Sequence, residues 1–246
     1  MHVGYCTNVG TVREVNEDAL FVSSHNEYPM FIVADGMGGH NAGEIASGIV
    51  VQVAKEFEND FVQKKLQFKE IEIPRYINDL FQEANIRIYN DAIKEKRYAG
   101  MGTTTSLLIV NEQEYYIGHV GDSRIYIIDE HFSIEQLTKD HSVVAEMVRK
   151  GKITDEEAFN HPQKNLITRA LGVEEKINVD ILNDMVNQAK YFLLCSDGLT
   201  NLVREHEIVD LVRKSQNVQD ACEQMVHEAN AKGGQDNITV ILVQVY

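Results

Sequence analysis

The chain has 246 residues, a formal net charge of -15, 43% hydrophobic side chains and 25% charged ones. That balance excludes wholesale disorder and leaves enough chain for a substantial core. The acidic excess argues against non-specific nucleic-acid binding, because phosphate backbones would be repelled, although bound cations can reverse charge locally.

The N-terminus, Met1-His-Val-Gly-Tyr-Cys6, has neither a basic region nor a long apolar run, so no secretory signal is expected. His2 stands where myristoylation needs glycine. No apolar stretch approaches the roughly 18–20 residues that span a bilayer, so no membrane insertion is expected. Residues 18–23 and 30–35 are apolar and bounded by turns, and read as strands. Two helical periods follow. Ile45, Ile49, Val53, Phe57 and Phe61 recur every four residues, and Ile77, Leu80, Phe81, Ala84 and Ile88 follow three-and-four spacing. Residues 103–110, 114–120 and 124–129 are strand candidates, with the short link Asn111–Glu114 predicting an antiparallel hairpin. The polar stretch 139–172 reads as an excursion from the core and a mobile lid, with helical pieces around 143–150 and 154–159. A strand over 190–195, helices over 204–214 and 217–231, and a strand over 237–245 complete the chain. Asn217 is placed to cap the last helix.

The order is not β-α-β alternation, so a doubly wound parallel sheet is not expected. A single α+β domain over 1–246 is, with helices covering antiparallel sheets. Cys6, Cys195 and Cys222 are widely spaced and form no Cys-x-x-Cys pair; they read as free thiols in a reducing cytosol.

Four aspartates stand at strand ends or in glycine-rich turns. Asp35 ends Phe31-Ile-Val-Ala-Asp35 and opens Gly36-Met-Gly-Gly-His40. Asp122 follows Gly121, Asp197 precedes Gly198, and Asp236 follows Gly233-Gly-Gln. Strand ends hold carboxylates rigidly, and adjacent glycine admits a ligand to the backbone. Converging carboxylates without His or Cys partners suit Mg²⁺ or Mn²⁺. Any one of these aspartates beside glycine, taken alone, reads more readily as a turn; four such positions make coincidence less attractive. Arg13, before Asn16-Glu17-Asp18, offers a planar clamp for phosphate.

Rival chemistries lack their motifs. The residues six beyond the cysteines are Val12, Asn201 and Glu228, so there is no Cys-x5-Arg. No Asp-x-Asp pair and no His-Glu-x-x-His site is present. Gly121-Asp-Ser-Arg124 superficially resembles an esterase motif but lies mid-chain instead of near the N-terminus.

Six segments together resemble the PPM family of metal-dependent serine/threonine protein phosphatases, the type-2C class. They are Arg13-x-x-Asn-Glu-Asp18, Asp35-Gly-Met-Gly-Gly-His40, Gly100-Met-Gly-Thr-Thr104, Gly121-Asp-Ser-Arg124, Ser196-Asp-Gly-Leu199 and Asp236-Asn-Ile-Thr239. They occur in family order over nearly the whole chain. Asp140-His-Ser and His161-Pro-Gln-Lys-Asn165 most resemble the bacterial branch that opposes serine/threonine kinases.

The resemblance implies a four-layer αββα sandwich of two antiparallel sheets flanked by helices, with a flap subdomain at about 139–172. It implies two Mn²⁺ or Mg²⁺ ions bridged by Asp35. The Gly36 carbonyl would bind one, and Asp197 and Asp236 the other. Asp18 would hold metal-bound waters, Asp122 would share a third ion with Asp197, and Arg13 would grip the phosphate. Gly102, Thr103 and Thr104 would be structural. The implied reaction is direct hydrolysis of phosphoserine and phosphothreonine by a metal-activated water, without a covalent phosphoenzyme. Met37 stands where the eukaryotic pattern has a histidine proposed as general acid, leaving His40 or a metal-bound water as proton donor. His119, His141 and His161 read as structural. Lys150 and Lys152 on the flap are candidates to meet acidic flanks of substrate. The implied setting is a cytoplasmic signalling monomer acting on phosphoproteins and opposing a cognate kinase. Two alternatives stay open: a non-catalytic module on the same fold, and a phosphohydrolase of other substrates.

Overall fold

The computed structural model describes residues 1–23, 29–38, 42–63, 73–187 and 189–245. Along strand β3 (Met30–Met37), successive side chains face two different apolar layers. Phe31 and Val33 point to one, Ile32 and Ala34 to the other. The same alternation holds in β5 (Thr105–Val110), where Leu108 and Val110 oppose Leu107 and Ile109. In β10 (Ala189–Cys195), Phe192 and Leu194 oppose Leu193 and Cys195, and in β11 (Ile238–Gln244), Ile241 and Val243 oppose Val240 and Leu242. Strands buried on both faces need apolar side chains at every position, which is why they read as continuous apolar runs.

The sheets follow from these pairings. The first runs β1 (His2–Asn8), β11, β10, β7 (Arg124–Asp129) and β8 (Ile134–Gln136). The second runs β2 (Asp18–Val22), β3, β5, β6 (Glu114–Val120) and β9 (Asp180–Met185), and the two-residue β4 (Gly102–Thr103) pairs β3. All pairings are antiparallel among the described residues. Phe31, Leu108 and Ile117 of one sheet meet Ile125, Phe192 and Ile241 of the other in the central layer. Helices α1 (Ala42–Gln63) and α2 (Ile73–Lys94) cover the outer face of the second sheet through Val50, Val53, Ile77, Phe81 and Ile88. On the far side, α6 (Glu205–Lys214) and α7 (Val218–Ala231) cover the first sheet through Ile208, Val212, Met225 and Val226. The expected αββα sandwich is the fold.

Local signals place the remaining pieces. Asn217 caps α7, its Oδ1 accepting from the backbone N–H groups of Gln219 and Asp220. Asn111 Oδ1 accepts from the N–H groups of Gln113 and Glu114, closing the β5–β6 hairpin. Within 139–172, α3 (Val143–Arg149) and α4 (Asp155–Phe159) form the expected helical pieces, with a Thr154/Glu157 capping box on the second. A bridge between Ser142 and Ile167 closes the stem of this excursion. The single strand expected over 103–110 is broken at Thr104, whose N–H donates to the Asp35 carbonyl instead of continuing a ladder. Strands β1, β8 and β9 and the four-residue α5 (Asp197–Thr200) have no counterpart in the sequence reading. Cys6, Cys195 and Cys222 are free thiols. Among the described residues no helix is long and apolar enough to cross a membrane.

Two glycines test this packing in opposite directions. A Cβ on Gly4 would lie 2.4 Å from the Val218 carbonyl oxygen, where β1 crosses the start of α7, whereas one on Gly48 in α1 would meet nothing within 4 Å. Gly4→Ala should therefore cost about 1–3 kcal/mol of stability through a forced backbone shift. Gly48→Ala should add roughly 0.5–1 kcal/mol by removing a helix-interior glycine. Urea midpoints of the two variants against the parent check both signs.

Candidate metal centre

The register brings the acidic residues to one pole of the sandwich. Asp18 opens β2 directly opposite Asp35 in β3. Cys195, at the end of β10, faces both Val240 and Arg124, so Asp197, Asp236 and Asp122 gather at the same end of the first sheet. Gly121, between β6 and β7, has φ +112°, a conformation that favours glycine and turns Asp122 into the pole. Gly36 could carry no side chain: a Cβ would lie 2.2 Å from the Gly43 carbonyl oxygen and 2.5 Å from that of Glu17.

The electrostatics of the cluster are unfavourable without a cation. Burial, partly offset by hydrogen bonds from Thr239 and Ser196, pushes the Asp18 carboxyl up to about 7, with Asp197 and Asp236 adding repulsion. Burial raises Asp197 to about 6, with repulsion from Asp236 adding to it. A hydrogen bond from Asp35 works the other way on that group. Asp35 and Asp122 lie well above the usual carboxylate range, again through burial first and neighbouring aspartates second. One oxygen of Asp18 accepts from Ser196 Oγ at 2.8 Å, while Oδ1 is buried with no partner. Among the described residues no three acidic or imidazole groups are already closed round a single point. The fit to a cation rests instead on the donor set: hard oxygens, mutually repelling, one of them orphaned, with no competing soft ligand.

Arg13 stands half-exposed beside this cluster and donates from Nη2 to Asp236 Oδ2 at 2.9 Å. One of its five N–H groups is thus engaged in the structure. Neither Lys150 nor Lys152 lines the cavity beside the site, and Lys150 is paired with Glu146 at 2.8 Å. His40 lies outside the described residues. His119 is fully buried and its pKa falls to about 4, chiefly through burial and then the neighbouring His141. His161 stays at a turn, its Nδ1 accepting from the Gln163 N–H.

Several supporting residues escaped the sequence reading. Asn237 donates to the carbonyls of Val9 and Val15 and accepts from the Glu17 N–H, fastening the 9–17 loop to the start of β11. Ser196 Oγ links Asp18 to the Thr239 N–H. Glu17 spans to the start of α1, where its Oε1 accepts from the Gly43 N–H. Arg124 is clamped by both Asp140 oxygens and by the Tyr126 hydroxyl. Asn237 and Ser196 sit beside candidate ligands inside quoted motifs, and that adjacency was their only signal.

A cavity of about 710 Å³ opens from Asp122 and Asp197 and runs under the 139–172 excursion. Val144, Val148 and Phe159 form its apolar wall, and Lys139, Arg149 and Arg204 supply cations. Arg204 lies 3.4 Å from the Phe159 ring centre and grips both Glu156 oxygens, tying α4 to the start of α6.

A buried carboxylate pole at the end of two antiparallel sheets, with an arginine at its edge, has the donor chemistry that a metal-dependent phosphoryl hydrolase needs. A family model, Protein phosphatase 2C, matches residues 11–242. The chain is 40% identical over 246 residues to the serine/threonine phosphatase stp of Listeria monocytogenes, covering 99% of this chain and 96% of that protein. The crystal structure of the serine/threonine phosphatase Stp1 from Staphylococcus aureus superposes with a TM-score of 0.92 at 35% identity, over 99% of this chain and 94% of that one. The catalytic domain of the serine/threonine protein phosphatase PstP in complex with two manganese ions superposes at 0.85 with 28% identity, over 99% and 97%. The chain belongs to the protein phosphatase 2C family and is a metal-dependent protein phosphatase of the serine/threonine class.

The raised carboxyls set a pH dependence. Asp18 and Asp197 titrate near 7 and 6 in the folded protein, above their ordinary value of 3.8. Their protonated forms favour the fold below that ordinary value, and the contribution is lost as pH rises through 6 to 7. Metal-stripped protein should therefore melt at a lower temperature at pH 8 than at pH 5.5. The gain in Tm on saturating with Mn²⁺ should grow over the same interval. Thermal scans in chelator and in Mn²⁺ at both pH values check this; a gain independent of pH would contradict it.

Proposed function

We propose that this phosphatase acts on phosphoserine and phosphothreonine in cytoplasmic phosphoproteins, as a signalling monomer opposing a cognate kinase, with Mn²⁺ or Mg²⁺. The observation that carries the reading is the buried, self-repelling set Asp18, Asp35, Asp122 and Asp197, with Arg13 on Asp236 beside it. Asp35, the Gly36 carbonyl, Asp197 and Asp236 would hold two ions, and Asp122 with Asp197 a third. When bound, such ions supply positive charge against the phosphate and a water acidic enough to attack near neutral pH.

The protein's own part is positioning. Arg13 binds the phosphate oxygens with the N–H groups that Asp236 leaves open, and holds them as charge builds in the transition state. Asp18, fixed by Ser196 on one oxygen, presents the other to water in the pole. His40 or a metal-bound water would give the proton to the departing alkoxide. The chain forms one domain over 1–246, in which 139–172 is a flap over the cavity that selects among protein substrates. Arg149 faces that cavity and suits acidic residues flanking the phosphate.

Asp197→Ala and Asp236→Ala should each lower kcat by at least about a hundredfold on a phosphothreonine peptide, and chelation should abolish turnover by the parent enzyme. Arg13→Ala should act mainly on KM. A charge-assisted contact worth about 1.5–3 kcal/mol corresponds to about a tenfold to hundredfold loss in kcat/KM. Full turnover in excess chelator would refute the reading.

The flap is tested by substrate size. Arg149→Ala should reduce kcat/KM on phosphoproteins while leaving p-nitrophenyl phosphate, which has no peptide to contact, nearly unaffected. Equal losses on both would make the segment a support for the metal site and remove it from substrate choice.

A further inference from the structure

Beneath the flap lies a polar chain that the reaction as described does not use. His141 N–H donates to the Gly121 carbonyl at 2.7 Å, and Gly121 N–H donates to His141 Nδ1 at 2.9 Å. A backbone N–H can only donate, so Nδ1 must be the unprotonated nitrogen. The proton of the neutral ring is then on Nε2, which faces Asp180 Oδ2 at 3.2 Å and donates to it. The other oxygen of Asp180 accepts from Arg169 Nη1 at 2.6 Å, and the same nitrogen reaches the Asn178 carbonyl at 3.2 Å. Thr168 N–H closes the circuit by donating to the His141 carbonyl at 2.7 Å. The imidazole is buried, with its side chain 7% exposed. It also stacks on His119, with ring centres 4.9 Å apart.

The placement of these bonds is informative. His141 and Ser142 carry the chain into the flap, and Ile167, Thr168 and Arg169 bring it back; the Ser142–Ile167 bridge is the stem. Gly121 is the left-handed residue whose turn aims Asp122 into the acidic pole, and it has no slack. A Cβ there would lie 2.4 Å from Thr104 Cβ. A single imidazole therefore grips both the turn that delivers Asp122 and, through Asp180, the returning arm of the flap. Burial requires both ring nitrogens to find partners; what singles out His141 is that the two partners belong to the Asp122 turn and to the residue that holds the flap's returning arm.

We propose that His141 is the positioning residue for Asp122, and that through Asp180 and Arg169 it ties the placement of that carboxylate to the stem of the flap. A flap displaced at its stem pulls on Arg169 and Asp180, and the imidazole passes that displacement to Gly121. Substrate engagement at the flap and cation retention at Asp122 are then two readings of one hinge. This inference rests on the metal-dependent phosphatase reading of the pole.

The two ring nitrogens can be separated by substitution. In His141→Asn the side-chain oxygen takes the place of Nδ1 and keeps the bond from Gly121, losing Asp180. In His141→Gln the amide reaches toward Asp180 and loses Gly121. Metal-stripped wild type, both variants, Asp122→Ala and the two double variants are titrated with Mn²⁺ by calorimetry, and kcat and KM are measured on a phosphothreonine peptide. Asp122→Ala should remove the weakest Mn²⁺ component. His141→Gln should weaken that component at least tenfold and lower kcat severalfold with little change in KM, and His141→Asn should retain most of both. In the Asp122→Ala background neither His141 change should matter further. Should His141→Gln fail to fold, Arg169→Met, which frees Asp180 at the half-exposed end of the chain, should give a partial loss of the same kind. Equal effects of the two His141 variants, an undiminished effect in the Asp122→Ala background, or an Asp122→Ala isotherm identical to wild type would each overturn the proposal. Absence of any Mn²⁺-dependent phosphate release by wild type would instead remove the phosphatase reading. The isotherms, which need no turnover, decide the His141 proposal even then.

Discussion

Carboxylates crowded at the end of a two-sheet sandwich repel one another, and burial removes the water that would otherwise screen them. Asp18, Asp35, Asp122 and Asp197 all respond by holding protons more tightly than free aspartates do. Such an arrangement is costly for a fold and is retained where counter-charge is supplied from outside. The rest of the molecule acts to keep those oxygens from moving apart. The β2–β3 register sets Asp18 opposite Asp35. Ser196 and Asn237 lock loops onto the start of β11, and Gly36 and Gly121 occupy positions where a side chain would collide with backbone or with Thr104.

The double layering of apolar strands is what makes this rigidity available. Each central strand feeds one layer between the sheets and another beneath a helix pair, so a strand end cannot shift without disturbing two cores. The polar excursion over 139–172 is tied differently, mostly by polar contacts: the Ser142–Ile167 and Thr103–Leu171 bridges, the His141 and Arg169 bonds at its stem, and Arg204 reaching across to Glu156 and Phe159. Exposed ion pairs of that kind contribute little stability, about 0–1 kcal/mol. The contrast is the one that the proposed flap role of 139–172 requires: a fixed pole beside a more loosely held segment.

Much of this was legible in the sequence, for physical reasons that differ by element. The central strands and α1, α2, α6 and α7 bury large apolar faces, so their periodicity is strong. β1 alternates only weakly because it is an edge strand, β8 has three residues, and β9 reads Asp-Ile-Leu-Asn-Asp-Met with an exposed outer end. The aspartates were visible because each stands at a strand end or in a glycine-rich turn beside an apolar run, but their convergence depends on register, which no local pattern encodes. The His141 chain was hidden for the same reason. Its ring partners stand 20 and 39 residues away, and nothing local distinguishes it from a packing histidine.

The central claim is that the acidic pole exists to hold divalent cations against a phosphate. Anomalous diffraction from crystals grown with Mn²⁺ tests it most directly. The account predicts two strong peaks flanking Asp35, one within bonding distance of Asp197 and Asp236 and the other of the Gly36 carbonyl, with Arg13 directed at the space between them and solvent. Mn²⁺ peaks confined to other parts of the surface, with Asp18, Asp35 and Asp197 still paired only with protein groups, would contradict it.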